Sequence, residues 1–192
     1  MYDQINASLA TLRHFRPAWS ERYSLDAAWS EDKVAAFESL HHCRLPDEYR
    51  EFLLRVGVAG AGPDYGLFAP DQHFTGSGYE ECWCDDPDLS QPFPHRDAWN
   101  VPHDSLDDLD VSYYTSQHCP GSLMISDRGC ALLSRIIITG PLAGQIWHDD
   151  RGDGAGLHPC LSEDGQRMSF LRWYLDWLDA EVYRYGHAGN PR

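Results

Sequence analysis

The sequence predicts an α+β domain, and three observations carry that reading. Helix-period apolar patterns run from Ser30 to Gly57, short apolar runs parted by turn residues follow from Gly121, and a second helix-period stripe starts at Ser169. Helices first, sheet next and helix last give N-terminal helices, a central, mostly antiparallel sheet and a long C-terminal helix packed on it. The 192 residues, 42% hydrophobic and 12% aromatic, can bury one substantial core and are too few for two ordinary domains, so 1–192 reads as a single domain.

Ser30 to His42 is predicted as a helix: Ser30 caps it, Glu31 and Asp32 complement the positive N-terminal dipole, and Val34, Phe37, Leu40 and His41 recur at helical spacing. Pro46 fits the first turn of a second helix, with Asp47 and Glu48 behind it and Tyr49, Phe52, Leu53 and Val56 on one face up to Gly57. Gly60 to Gly66 is a turn region leading to the short apolar piece Leu67 to Ala69.

Strands are expected at Leu123 to Ile125, Leu132 to Thr139 and Gln145 to His148. Their connections are too short for crossovers, so neighbours must be antiparallel. Ile136, Ile137 and Ile138 are apolar on both faces, which predicts a central strand covered by helices. Ser169 caps the last helix, in which Leu171, Tyr174, Leu175, Leu178, Val182 and Tyr185 form a stripe widened by Phe170, Trp173 and Trp177. Trp177 is expected on the buried side, between Trp173 and the sheet.

Thirty acidic residues against fifteen basic ones give a net charge of −15, which argues against binding a nucleic-acid backbone or an anionic membrane. Met1 to Phe15 lacks the basic start and continuous apolar run of a signal peptide, and no segment is apolar enough to span a membrane. A cytoplasmic location is expected, with the six cysteines as free thiols. Lys33 is the single lysine beside fourteen arginines, a bias that suggests a high-GC bacterial source.

The charge is concentrated. Residues 79–110 hold Glu80, Glu81, Asp85, Asp86, Asp88, Asp97, Asp104, Asp107, Asp108 and Asp110 against Arg96, nine of the fifteen net negative charges. Pro87, Pro92, Pro94 and Pro102 place them on irregular backbone. A solvated loop is the default explanation of such charge, but with Tyr79 and Trp83 interleaved the stretch also has what docking a basic partner requires, because complementary charge speeds association and aromatics anchor it.

Signals for catalysis are weak by comparison. Gly60, Gly62 and Gly66 follow a helix and enclose Pro63, unlike a dinucleotide loop, and Gly76-Ser77-Gly78 lacks the spacing of a nucleophile elbow. Cys82 and Cys84, with Cys119, His118 and His73, have the wrong spacing for a zinc knuckle. Asp149, Arg151, Asp153 and Gly154 mimic a calcium loop, but Arg151 stands at a ligand position and Cys160 where the bidentate acid belongs, so a solvated hairpin turn is expected there. None of the ten histidines forms a helical metal-binding pair, and each reads as structural. No metal, cofactor or catalytic residue is expected.

The segment Leu45-Pro46-Asp47-Glu48-Tyr49-Arg50-Glu51-Phe52-Leu53-Leu54, with the Gly-rich turn and Tyr65-Gly66-Leu67-Phe68 after it, resembles the hallmark of the SUKH superfamily. Pro92-Phe93-Pro94 with Trp99, Gly129-Cys130 ahead of a strand ending at Gly140, Gly144-Gln145-Ile146-Trp147, and Ser169-Phe170 with Trp173 and Trp177 follow the same order, so the resemblance spans roughly 30–180. The chain departs from the pattern in two places. Gly57-Val58-Ala59-Gly60 replaces the usual Asn-Gly pair, and no second glycine follows Cys130.

The superfamily includes fungal cell-wall synthesis regulators and bacterial immunity proteins. The resemblance therefore implies a non-enzymatic binding domain that neutralises a cognate polymorphic toxin, a basic nuclease being the target that suits the acidic stretch. The other reading is a regulatory or scaffold module that recruits cellular proteins. The partner-binding residues expected are Glu80, Glu81, Trp83, Asp85, Asp86 and Asp88, with Asp107, Asp108 and Asp110 as a second cluster.

Overall fold

In a computed structural model, which describes residues 1–72, 88–102 and 111–186, the predicted order of elements holds, with one helix and one strand added. The added helix, α1 (Tyr2–Phe15), buries Ile5, Leu9 and Leu12, whose spacings of four and three residues put them on one face. Helix α2 (Glu31–Leu40) is capped by Ser30, which accepts from the Lys33 amide. It buries Val34 and Phe37, but Leu40 is exposed at its last turn, so its apolar face is narrower than predicted. Helix α3 (Asp47–Arg55) buries Tyr49, Phe52 and Leu53.

Helix α4 (Phe170–Tyr185) is capped by Ser169 and runs parallel to α1. Their first turns meet at Glu48, whose carbonyl accepts from the Tyr2 hydroxyl and whose carboxylate accepts from the Leu171 amide. Towards their far ends, Tyr23, just beyond α1, donates to the buried Glu181 at 2.6 Å, and Arg16 lies 4.2 Å from the centre of the Tyr185 ring. The stripe of α4 is rotated relative to the prediction. Phe170, Leu171, Trp173, Tyr174 and Leu178 are buried, whereas Trp177 is half-buried at the margin, touching Tyr174 at a centroid distance of 5.3 Å.

Strands β1 (Ser122–Gly129), β2 (Leu132–Ile137), β3 (Ile146–Asp150) and β4 (Gly156–Pro159) form an antiparallel meander in sequence order. The fourth strand was not predicted. It is short, carries no apolar alternation and ends on a proline, which an edge strand tolerates. The β1–β2 hairpin turns through Cys130 and Ala131 at φ of +54° and +63°, a conformation that costs any residue with a Cβ.

Both faces of β2 are buried, as its three isoleucines predicted, but helices cover only one of them. Ile136 and Ile138, with Ile125, Ile146 and Cys160, join Phe52, Phe170 and Tyr174 in the main core under the helices. On the other face Ile137, Trp147 and Leu157 pack with Phe93 and Cys119, supplied by irregular chain. No helix among the described residues is long and apolar enough to cross a membrane.

Candidate functional site

Of the predicted partner-binding residues the structure describes Asp88; Glu80, Glu81, Trp83, Asp85, Asp86, Asp107, Asp108 and Asp110 lie outside the described residues, as do Cys82, Cys84, His73 and Gly76-Ser77-Gly78. Asp88 is exposed. Its carboxylate accepts from the Ser90 hydroxyl at 2.6 Å and the Ser90 amide at 3.0 Å, and these bonds hold it below the usual carboxylate range. Its carbonyl accepts from the Gly121 amide, and Leu89 and Phe93 are bonded to Thr139, so the acidic stretch resumes on a fixed backbone at the start of β1 and the end of β2.

The feet of residues 103–110 are pinned at the opposite end of the sheet. Before them, Trp99 pairs with Leu157 of β4, and Asn100 donates to the Gly154 carbonyl. After them, the Tyr113 hydroxyl donates to the Asn100 side chain, while Arg151 donates to the Tyr113 and Thr115 carbonyls at 2.7 and 2.9 Å. Between the two anchored ends Pro92, Phe93, Pro94, His95, Pro141 and Leu142 line an open groove of about 760 Å³. Asp97 and Arg167, an exposed ion pair at 3.0 Å, stand at its side.

Arg151 corrects the expectation of a solvated turn. Its guanidinium is fully buried and grips Asp149 with two bonds of 2.7 Å, and Arg135 reaches the same carboxylate at 2.7 Å. Burial alone would raise Asp149, but the two guanidiniums outweigh it and hold the group below its usual range. The network stands where β3 meets a 3₁₀ turn (Arg151–Asp153), and Gly154 follows at φ +80°.

On the other face of β3 a second polar group gathers. His148 pairs directly with His158 of β4, their rings 5.3 Å apart, and Asp150 lies two residues along the same face. His158 Nε2 is 3.0 Å from Asp150 Oδ2, and Arg128 of β1 pairs with Oδ1. Burial pushes His148 down to about 4, whereas the hydrogen bond to Asp150 raises His158. The two imidazoles and the carboxylate present donor atoms within 4.8 Å of one another. Sequence reasoning missed this cluster because cross-strand partners have no fixed spacing; the alternating His148 and Asp150, ahead of a turn, were its one readable trace.

A family model described as SMI1 / KNR4 family (SUKH-1) matches residues 28–133, more than half of the chain. The chain belongs to the SMI1/KNR4 (SUKH-1) family. Within the SUKH-1 match fall α2, α3, the glycine turn, β1 and the start of β2, together with the whole of the acidic stretch. The two polar clusters on β3 and β4 lie beyond it. No curated protein and no solved structure matches the chain significantly.

Proposed function

We propose that this SUKH-1 domain is a non-enzymatic immunity protein that binds and blocks a cognate toxin, with the acidic stretch 79–110 as its docking surface. The observation that carries the reading is the concentration of nine of fifteen net negative charges in one sixth of a chain of this family. Carboxylates presented there substitute for the phosphates that a basic nuclease cleft attracts, and the same charge keeps the inhibitor off nucleic acid. Glu80, Glu81, Asp85, Asp86 and Asp88 make the first cluster, Asp107, Asp108 and Asp110 the second, and Trp83 supplies the apolar contact that carboxylates cannot. The held backbone at Asp88 and the pinned ends of residues 103–110 support this role, because a docking surface on an anchored base loses less entropy on binding. The open groove beside Asp97 extends the surface.

The test is co-expression with the toxin encoded beside its gene. Protection of the cells and a stable one-to-one complex are expected. Failure to protect, together with capture of host proteins by the same surface, would favour a recruiting scaffold instead.

A further inference from the structure

We propose that His148, Asp150 and His158 bind a divalent transition-metal ion of the zinc class. The β3–β4 hairpin brings two imidazoles and a carboxylate to one sheet face, a donor set that suits zinc, and leaves a fourth position for water. Two ligands held about 2.0–2.1 Å from one ion at the tetrahedral angle lie about 3.3 Å apart. His158 Nε2 and Asp150 Oδ2 are already 3.0 Å apart, and no donor pair exceeds 4.8 Å, so side-chain rotation suffices to close the site.

Two further observations point to a ligand. None of the hydrogen bonds among the described residues engages the His148 ring, although it is largely enclosed. Ser134, directly opposite His148 on β2, holds a buried hydroxyl without a partner. A metal-bound imidazole needs such a group to receive its second ring N–H. Arg128, on Asp150 Oδ1, fixes the carboxylate with Oδ2 turned to His158, and Asp64 stands within electrostatic range of the arginine and offsets its charge. The site lies outside the family-matched span and is independent of the toxin-binding reading.

Metal-free, reduced protein is titrated with Zn²⁺ by calorimetry and with Co²⁺ by visible absorption. One ion per chain is expected, with the intense bands of four-coordinate cobalt and a higher unfolding temperature. His148→Gln and His158→Gln should each weaken binding by about 100-fold or more, and C82S/C84S should leave it unchanged. His158 is on the edge strand and 33% exposed, so its variant keeps the fold, which circular dichroism verifies. No saturable binding up to millimolar Zn²⁺, or one-to-one binding that survives both histidine substitutions, would overturn the site.

Discussion

Asp149, on β3, and Arg151, in the turn that follows it, form a fully buried two-armed ion pair, and the same guanidinium holds the carbonyls of Tyr113 and Thr115. A residue pair two apart in sequence thus fastens the segment that precedes β1 to the sheet. Removing one partner of such a pair strands a charge in a dry site. Asp149→Asn should cost about 3–5 kcal/mol in urea unfolding, because it removes the buried negative charge that both Arg135 and Arg151 grip.

The rotation of α4 makes a comparative prediction. Trp173 is buried and Trp177 half-buried, so Trp173→Ala should lose about 3–5 kcal/mol and Trp177→Ala roughly half of that. Equal losses would mean that Trp177 is as deeply packed as its neighbour.

Ala131 occupies the position where the family pattern has its second glycine, and it adopts φ +63°. Left-handed backbone costs a residue with a Cβ about 1–2 kcal/mol, while a glycine there gives back part of the gain by freeing the unfolded chain. Ala131→Gly should therefore raise stability by up to about 1 kcal/mol, read as a higher unfolding midpoint at constant slope.

Burial lowers His95, His118 and, to about 4, His148, so between pH 6.5 and 4 the unfolded chain takes up protons that the folded chain refuses. Stability of the metal-free protein should fall as pH falls through that window. His158 acts in the opposite sense: raised by Asp150, it contributes stability below 6.5 that is lost as pH rises through its folded value. His158→Gln should accordingly steepen the acid loss, measured by urea unfolding at pH 7 and pH 5.

Much of the fold is legible in residue order. Ser30 and Ser169 announce their helices because a capping hydroxyl is a local device, and the turns after Gly129 and Gly140 fix antiparallel pairing because so short a link permits nothing else. What escaped is what depends on distant chain. Ile5, Leu9 and Leu12 already have helical spacing, but their burial requires the parallel α4. Asp149 and Arg151 look like turn residues until the carbonyls of Tyr113 and Thr115 arrive to complete the network. His148 and His158 become partners through strand register alone. At the candidate docking surface the sequence shows the charge, and the structure adds the held backbone at Asp88 and the pinned ends of residues 103–110.

The association rate with the toxin tests the central claim most directly. Asp85, Asp86 and Asp88 are converted together to Asn, and association is followed across ionic strengths around the ~10 Å screening length of 0.1 M salt. Asn at position 88 keeps an oxygen for Ser90, so the turn survives. If the acidic stretch steers the partner, the wild-type rate falls steeply as salt rises, and the variant associates about tenfold or more slowly at low salt, equivalent to ~1.4 kcal/mol, while dissociation changes less. An unchanged rate, with a folded variant that still protects against the toxin, would contradict the account and place the partner on another face of the domain.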